Sequence, residues 1–159
     1  MGQSERDAIL RTFKEQNIPF EHFTHEPVYT SQQAMAARKG ELHNGVKAMV
    51  LETERGVVLA LLAADLKMDL KRFGEILEFK KVKLASKEIV LEKTGCEPGA
   101  VPPFWFSTPL PIYLDESVFD HEWAEFNIGL LTESVRIRTA DLRKILPQRL
   151  LKFASIPQQ

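Results

Sequence analysis

The segment Thr94–Phe104, Thr-Gly-Cys-Glu-Pro-Gly-Ala-Val-Pro-Pro-Phe, can be neither helix interior nor central strand. Pro98, Pro102 and Pro103 each fix φ and remove a backbone donor, while Gly95 and Gly99 open positive φ and let another molecule approach the main chain. The rest of the chain must be arranged about a stiff, irregular loop. Two readings of that loop stay open on its residues. In one, its remaining N–H groups are held in place before a ligand arrives, as a phosphate or a negative charge developing on a carbonyl oxygen requires. In the other, it is an ordinary helix-to-strand connection, with Gly95 just past a helix and the prolines preventing continuation.

A chain of 159 residues, 44% hydrophobic, has material for one substantial core, and a single domain spanning 1–159 is expected. No repeat, low-complexity tract or linker divides it. Lys and Arg number 21 against 22 Asp and Glu, a net charge of −1, so no global basic field announces nucleic acid; DNA is not expected, and any RNA contact must be local. Cys96 is the single cysteine and has no disulfide partner within the chain; the polar start Met1–Asp7 has no apolar signal core. The apolar run Val57–Ala64 is far short of the roughly 20 residues that span a bilayer. A cytoplasmic protein without membrane contact is expected.

Taken in order, Ser4 can cap a helix over 4–17, with Ala8, Ile9, Leu10 and Phe13 on one face, ended by Pro19. Phe20–His25 alternates as a strand, and Thr30 or Ser31 caps a short helix ending before Gly40. Asn44-Gly45 turns into the strand Val46–Leu51, and Glu54-Arg55-Gly56 folds it back into Val57–Leu62 as a hairpin. Asp69 caps a helix to Leu77, Lys80–Ala85 reads as a strand, and Ser86 caps a helix ending at Gly95. Pro111–Leu114, Ala124–Ile128 and Ser134–Arg138 are further strands. Thr139 caps a closing helix stopped by Pro147, and a frayed tail is expected over 155–159. Strands outnumber crossover helices and several are hairpin-linked, so the fold class is α+β: a mixed, curled, barrel-like sheet surrounded by short helices.

The sequence holds no phosphate loop, no G-x-G-x-x-G, no H-E-x-x-H and no G-x-S-x-G elbow. His22, His25, His43 and His121 lack metal-ligand spacing, and no cofactor or metal is expected. Cys96 has no base nearby and reads as a small loop residue. Lys47 sits inside an apolar strand pair; its amine either snorkels to solvent or is aimed into a pocket that needs a cation.

Four motifs carry a resemblance: His25-Glu-Pro-Val-Tyr-Thr30, Gly45-Val-Lys-Ala-Met-Val-Leu51, the Thr94–Phe104 loop, and Phe126-Asn-Ile-Gly-Leu-Leu-Thr-Glu-Ser-Val-Arg-Ile137. Each is weak alone, but in this order and at these separations they resemble the YbaK/prolyl-tRNA-synthetase-associated family over a core of about 18–146. The resemblance implies a freestanding editing enzyme that hydrolyses the ester of a mischarged aminoacyl-tRNA, bearing a small residue such as alanine, cysteine or serine, without a metal. It implies a pocket between the family's essential lysine, matched by Lys47, and a Gly-Pro loop whose backbone holds the aminoacyl group, matched by Gly99 with Pro98, Ala100 and Val101.

On that resemblance Lys47 and Gly99 are the expected catalytic positions. Thr30, Phe23 and His25 are candidate pocket walls, although His25 could equally be satisfied at the strand exit; Asn127 and Ser134 come from the last motif. Lys81 and Lys83 either reach a tRNA phosphate or simply guard a strand edge against aggregation. The expected partner is the acceptor end of aminoacyl-tRNA, with an aminoacyl-tRNA synthetase as a second candidate. The chemistry suits these residues: an aminoacyl ester is already activated, so positioned water, backbone donors and one cation suffice. A silent binding module with the same pocket is the alternative. Two departures bear on it: Trp105 stands where many members have glycine and is placed to narrow the loop exit, and Phe126–Ser134 offers Asn127, Thr132, Glu133 and Ser134 where many bacterial relatives carry a histidine or an acidic residue.

Overall fold

The computed structural model describes residues 1–38 and 40–157. Helix α1 (Gln3–Glu15) buries Ala8, Ile9 and Phe13 on one face, each of the larger side chains contributing about 1.5–3 kcal/mol of burial. It starts after Gly2, in the left-handed region at φ 83°, and Ser4 does not cap it; the Ser4 hydroxyl donates to Glu5 Oε2 instead. It also ends before 17: Asn17 takes φ 55° and the Ile18 N–H reaches back to Phe13 O, which frees the chain before Pro19. Strand β1 (Glu21–Thr24) follows, then helix α2 (Ser31–Arg38), where Thr30 Oγ1 accepts the Gln33 N–H at 3.1 Å as an N-cap.

The hairpin of β2 (Val46–Thr53) and β3 (Gly56–Ala63) is the spine of the molecule, paired without a break from Val46↔Ala63 to Thr53↔Gly56. Side chains of a strand alternate between faces, and β3 is buried on both. Leu59 and Leu61 enter the larger core with Ile9, Phe13 and Phe126, while Val58, Ala60 and Leu62 enter a smaller one with Phe73 and Phe153. This is why Val57–Ala64 reads as an unbroken apolar run.

Beyond the hairpin come β4 (Leu66–Met68), α3 (Leu70–Leu77), β5 (Val82–Leu84), α4 (Lys87–Thr94), β6 (Ile112–Asp115), β7 (Trp123–Asn127), β8 (Glu133–Arg138), α5 (Thr139–Ile145), β9 (Leu150–Leu151) and β10 (Ala154–Pro157). Asp69 and Ser86 cap α3 and α4 as expected, accepting from Arg72 N–H and Ile89 N–H. Thr139 is not a cap; its hydroxyl donates to the carbonyls of His121 and Glu122 and ties α5 to the start of β7.

The sheet is mixed, with β3–β6 and β6–β9 parallel in an order β5-β2-β3-β6-β9. The described strands do not form one continuous ladder: β1-β8-β7 and β10-β4 are separate sheets, and one parallel bridge, Gly45↔Glu125, spans the gap between the two larger ones.

The end of the chain corrects an expectation. A frayed tail from 155 ignores Asp115, which is buried and accepts the N–H groups of Phe153 and Ala154 at 2.7 and 2.8 Å on one oxygen and that of Ser117 on the other. With Phe153 fully buried, β10 is held against β4. Residues 158–159 lie outside the described residues.

Candidate active site

Pairing leaves a gap in the spine. On one side β2 meets β3 along its whole length; on the other, β5 covers only Leu51–Thr53. The first half of β2 therefore has no strand ladder on that side, and α2 and the 98–101 turn close over it. They enclose a cavity of about 220 Å³ whose lining includes Thr30, Arg38, Lys47, Gly99, Val101 and Asn127. Pockets for drug-sized ligands measure roughly 300–1,000 Å³, so this smaller space suits a group of amino-acid size.

The helix-end reading of the Gly-Pro loop is met at Gly95, and the ligand-site reading concerns Gly99. Gly95, at φ 72°, ends α4 with its N–H on Leu91 O, and the Thr94 hydroxyl secures the exit by donating to Val90 O and accepting from Cys96 N–H. Gly99, at φ 91°, turns the chain along the cavity wall. Ala100 is buried, its N–H spent on Glu97 O at 2.9 Å and its carbonyl accepting Gly129 N–H at 3.0 Å. The N–H groups of Gly99 and Val101 meet no acceptor among the described residues.

Gly99→Ala is expected to destabilise the fold by about 1 kcal/mol through its left-handed φ. The new Cβ would meet only ordinary contacts, 3.4 Å to Leu131 Cδ2 and 3.6 Å to Val28 O. A drop in the urea midpoint together with a lower kcat would bear this out; a variant of wild-type stability and rate would count against it.

Lys47 is half-buried on β2, opposite Leu62. Burial pushes its ammonium below the ordinary lysine value of 10.5, and the Asp65 carboxylate pulls the other way. Lys47 and Gly99 line the same cavity. Cys96 is a different case: burial and the Glu5 carboxylate, 3.8 Å from its Sγ, push the thiol up to about 12, so it stays protonated and unreactive.

Of the other residues singled out in the sequence, the cavity takes in Thr30, Val101 and Asn127 and leaves out Phe23, His25, Pro98, Ala100 and Ser134. His25 Nε2 lies 2.9 Å from Ser134 Oγ and its Nδ1 lies 2.8 Å from Glu26 O, so both ring nitrogens are satisfied at the strand exit. Phe23 lies beneath the Arg136 guanidinium, 5.3 Å from its ring centroid. Lys81 and Lys83 belong to the edge strand and its approach. Lys83 faces Glu52, five residues from Lys47 and so roughly 17 Å along β2. Trp105 is outside the lining, 39% exposed at φ 64°, a conformation that explains why glycine suits the position.

A buried charged cluster adjoins the cavity, with no signal in the sequence to announce it. Arg38, 5% exposed at the end of α2, donates from Nη2 to Asn127 Oδ1 at 3.1 Å. Burial lowers its pKa to about 10 against the attraction of Glu125. Glu125 is itself fully buried on β7, and Arg136 grips its Oε2 from Nε at 2.8 Å and Nη2 at 2.7 Å. A Cβ at Gly40 would lie 2.4 Å from Glu125 Oε1, so the cluster needs a glycine there. An arginine at a helix end and a glutamate in an alternating strand both look solvent-facing in sequence; only their tertiary placement buries them.

The sequence profile of the aminoacyl-tRNA editing domain matches residues 25–145. Multifunctional Ser/Thr-tRNA deacylase ProXp-y of Escherichia coli (strain K12) is 33% identical over 157 residues, covering 96% of this chain and 94% of that protein, and its counterpart in Escherichia coli O157:H7 matches equally. Among solved structures, one provisionally described as a trans-editing enzyme for prolyl tRNA synthetase superposes with a TM-score of 0.81 at 22% identity, over 96% of this chain and 98% of that one. The protein APE2540 superposes with a TM-score of 0.82 at 17% identity, over 92% and 99%. The solved structures share the fold, and the profile together with the full-length relatives goes further: the chain belongs to the aminoacyl-tRNA editing domain family.

Proposed function

We propose that the chain acts in trans on mischarged aminoacyl-tRNA, taking the aminoacyl group of a small residue into the cavity and hydrolysing its ester. The enzyme is a hydrolase that deacylates tRNA, as its family and full-length relative support. The observation that supports the site is that Lys47, Gly99 and Val101 line one cavity of amino-acid size and that the Gly99 and Val101 N–H groups meet no acceptor among the described residues.

The ester carbon is electrophilic enough to need no side-chain nucleophile. Water adds to it, the carbonyl oxygen becomes an oxyanion, and the Gly99 and Val101 N–H groups with the Lys47 ammonium stabilise that charge. Collapse expels the terminal ribose oxygen, which takes a proton from the attacking water, leaving free amino acid and tRNA. Fixed donors of this kind are already oriented before charge develops, so no reorganisation opposes the step. The reading assigns no step to a metal.

The polar wall of Thr30, Arg38 and Asn127, together with the relative's name, favours serine and threonine over alanine and cysteine. Net charge near zero agrees with a grip confined to the acceptor end. The two larger sheets, bridged at Gly45 and Glu125, support an incomplete barrel about the core. The test is release of amino acid from a panel of tRNAs charged with alanine, serine, cysteine, threonine and proline; no release from any of them by folded protein would overturn the reading.

The cation also sets a pH dependence. Lys47 contributes only while protonated, and burial lowers its pKa, so the enzymatic rate should fall as pH rises, with its midpoint below the ordinary lysine value of 10.5. After subtraction of hydroxide-driven ester loss, a basic limb absent from the Lys47→Ala residual rate is expected. A rate that stays flat to the ordinary lysine value would refute this role.

A further inference from the structure

Among the described residues, two buried side-chain atoms meet no hydrogen-bond partner: Arg38 Nε and Glu125 Oε1. Both atoms are closed to solvent, so a ligand in the cavity would meet Arg38 at its terminal nitrogens and not at Nε. Glu125 is already gripped by Arg136, so neutralising it does not by itself account for a second buried cation. Arg38 is instead part of the cavity wall. Its Nη1 lies 3.9 Å from where a Cβ at Gly45 would stand, and its Nη2 is fixed on Asn127 Oδ1. Asn127 is fixed in turn, its amide donating to Leu130 O at 3.1 Å.

A guanidinium donates and never accepts. In a cavity for an aminoacyl group it would repel the α-ammonium and welcome an oxygen. A hydroxyl meets both demands of this wall: its oxygen accepts from Arg38, and its hydrogen can go to Asn127 Oδ1, whose second lone pair is uncommitted.

We infer that Arg38, held in place by Asn127, receives the side-chain hydroxyl of a seryl or threonyl ester and makes the cavity select hydroxyl-bearing over apolar side chains of the same size. The inference rests on the deacylase reading and adds the residues that read the substrate. A site built to hydrogen-bond a hydroxyl can reject the analogue lacking it by up to about 10⁴–10⁵-fold; in a cavity open to water at its mouth, a preference of at least about 10-fold is expected.

The experiment measures kcat/KM of the full chain on one tRNA body charged with serine, alanine, threonine or valine. It reads the serine-to-alanine and threonine-to-valine ratios, which cancel any loss common to both members of a pair. Wild type should favour the hydroxyl in both pairs by about 10-fold or more, and Arg38→Met should bring both ratios close to one. Arg38→Lys keeps the charge but not the planar fork; it should also lose most of the preference, and it carries the comparison if the methionine variant does not fold. Wild-type ratios near one, ratios unchanged in either folded variant, or a parallel loss on all four substrates would each overturn the inference. Failure of the underlying reading looks different: wild type would then release none of the four.

Discussion

Lys47→Ala is expected to lower kcat/KM for deacylation by about 10²–10³-fold, the usual effect of removing one preorganised group that stabilises an oxyanion, and to leave the fold in place. Both parts follow from its position. The backbone of residue 47 pairs with Leu62 whatever the side chain, and the neighbours Val46 and Val50 supply the packing of that strand in the larger core. The side chain lines the cavity and is half-buried, so its truncation removes charge from the site without opening a hole in the core. Single-turnover deacylation beside a thermal melt separates the two effects. Wild-type turnover by a folded variant would remove Lys47 from the mechanism, and a variant that melts early would make it part of the scaffold. Lys47→Arg should recover part of the rate, because the role is electrostatic and not that of a general base.

Arg136→Met is expected to destabilise the protein by about 3–5 kcal/mol, the range for leaving one member of a buried ion pair without its partner. Glu125 is fully buried and has one oxygen with no partner; its other oxygen depends on the two contacts from Arg136. The same guanidinium reaches Glu21 and lies over Phe23, so it also joins β1 to β7 across β8. Among the described residues no ion pair joins Arg38 to Glu125, although that carboxylate attracts the Arg38 guanidinium. A urea denaturation series measures the loss. The double variant Glu125→Gln with Arg136→Met should recover much of it, because the unpaired charge is gone. A loss below about 1 kcal/mol in the single variant would mean that Glu125 is neutralised in another way.

Local structure was legible where a local rule suffices. The β2–β3 hairpin, the Asp69 and Ser86 caps and the αL end of α4 at Gly95 all follow from short-range chemistry. No local rule links Lys47 to the Gly99 loop; the family motifs implied a shared pocket, and both line one cavity. Short elements were not legible: β4, β9 and β10 have too few residues to show a period, and the entry to β10 is anchored by Asp115, far away in sequence, which accepts the Phe153 and Ala154 N–H groups.

The site divides in the same way. A stiff loop, a lysine among apolar residues and an order of motifs are properties of the chain, and they specified the family and the two elements that face each other. Which wall residues join them was decided by tertiary structure. Asn127 enters the cavity while Ser134 is taken by His25, and Arg38 is buried against Asn127 although its sequence context is that of an exposed helix end. The physical reason is that burial is set by how the elements around the uncovered half of β2 meet, and the charge of a side chain says nothing of that distance until its partners are in place.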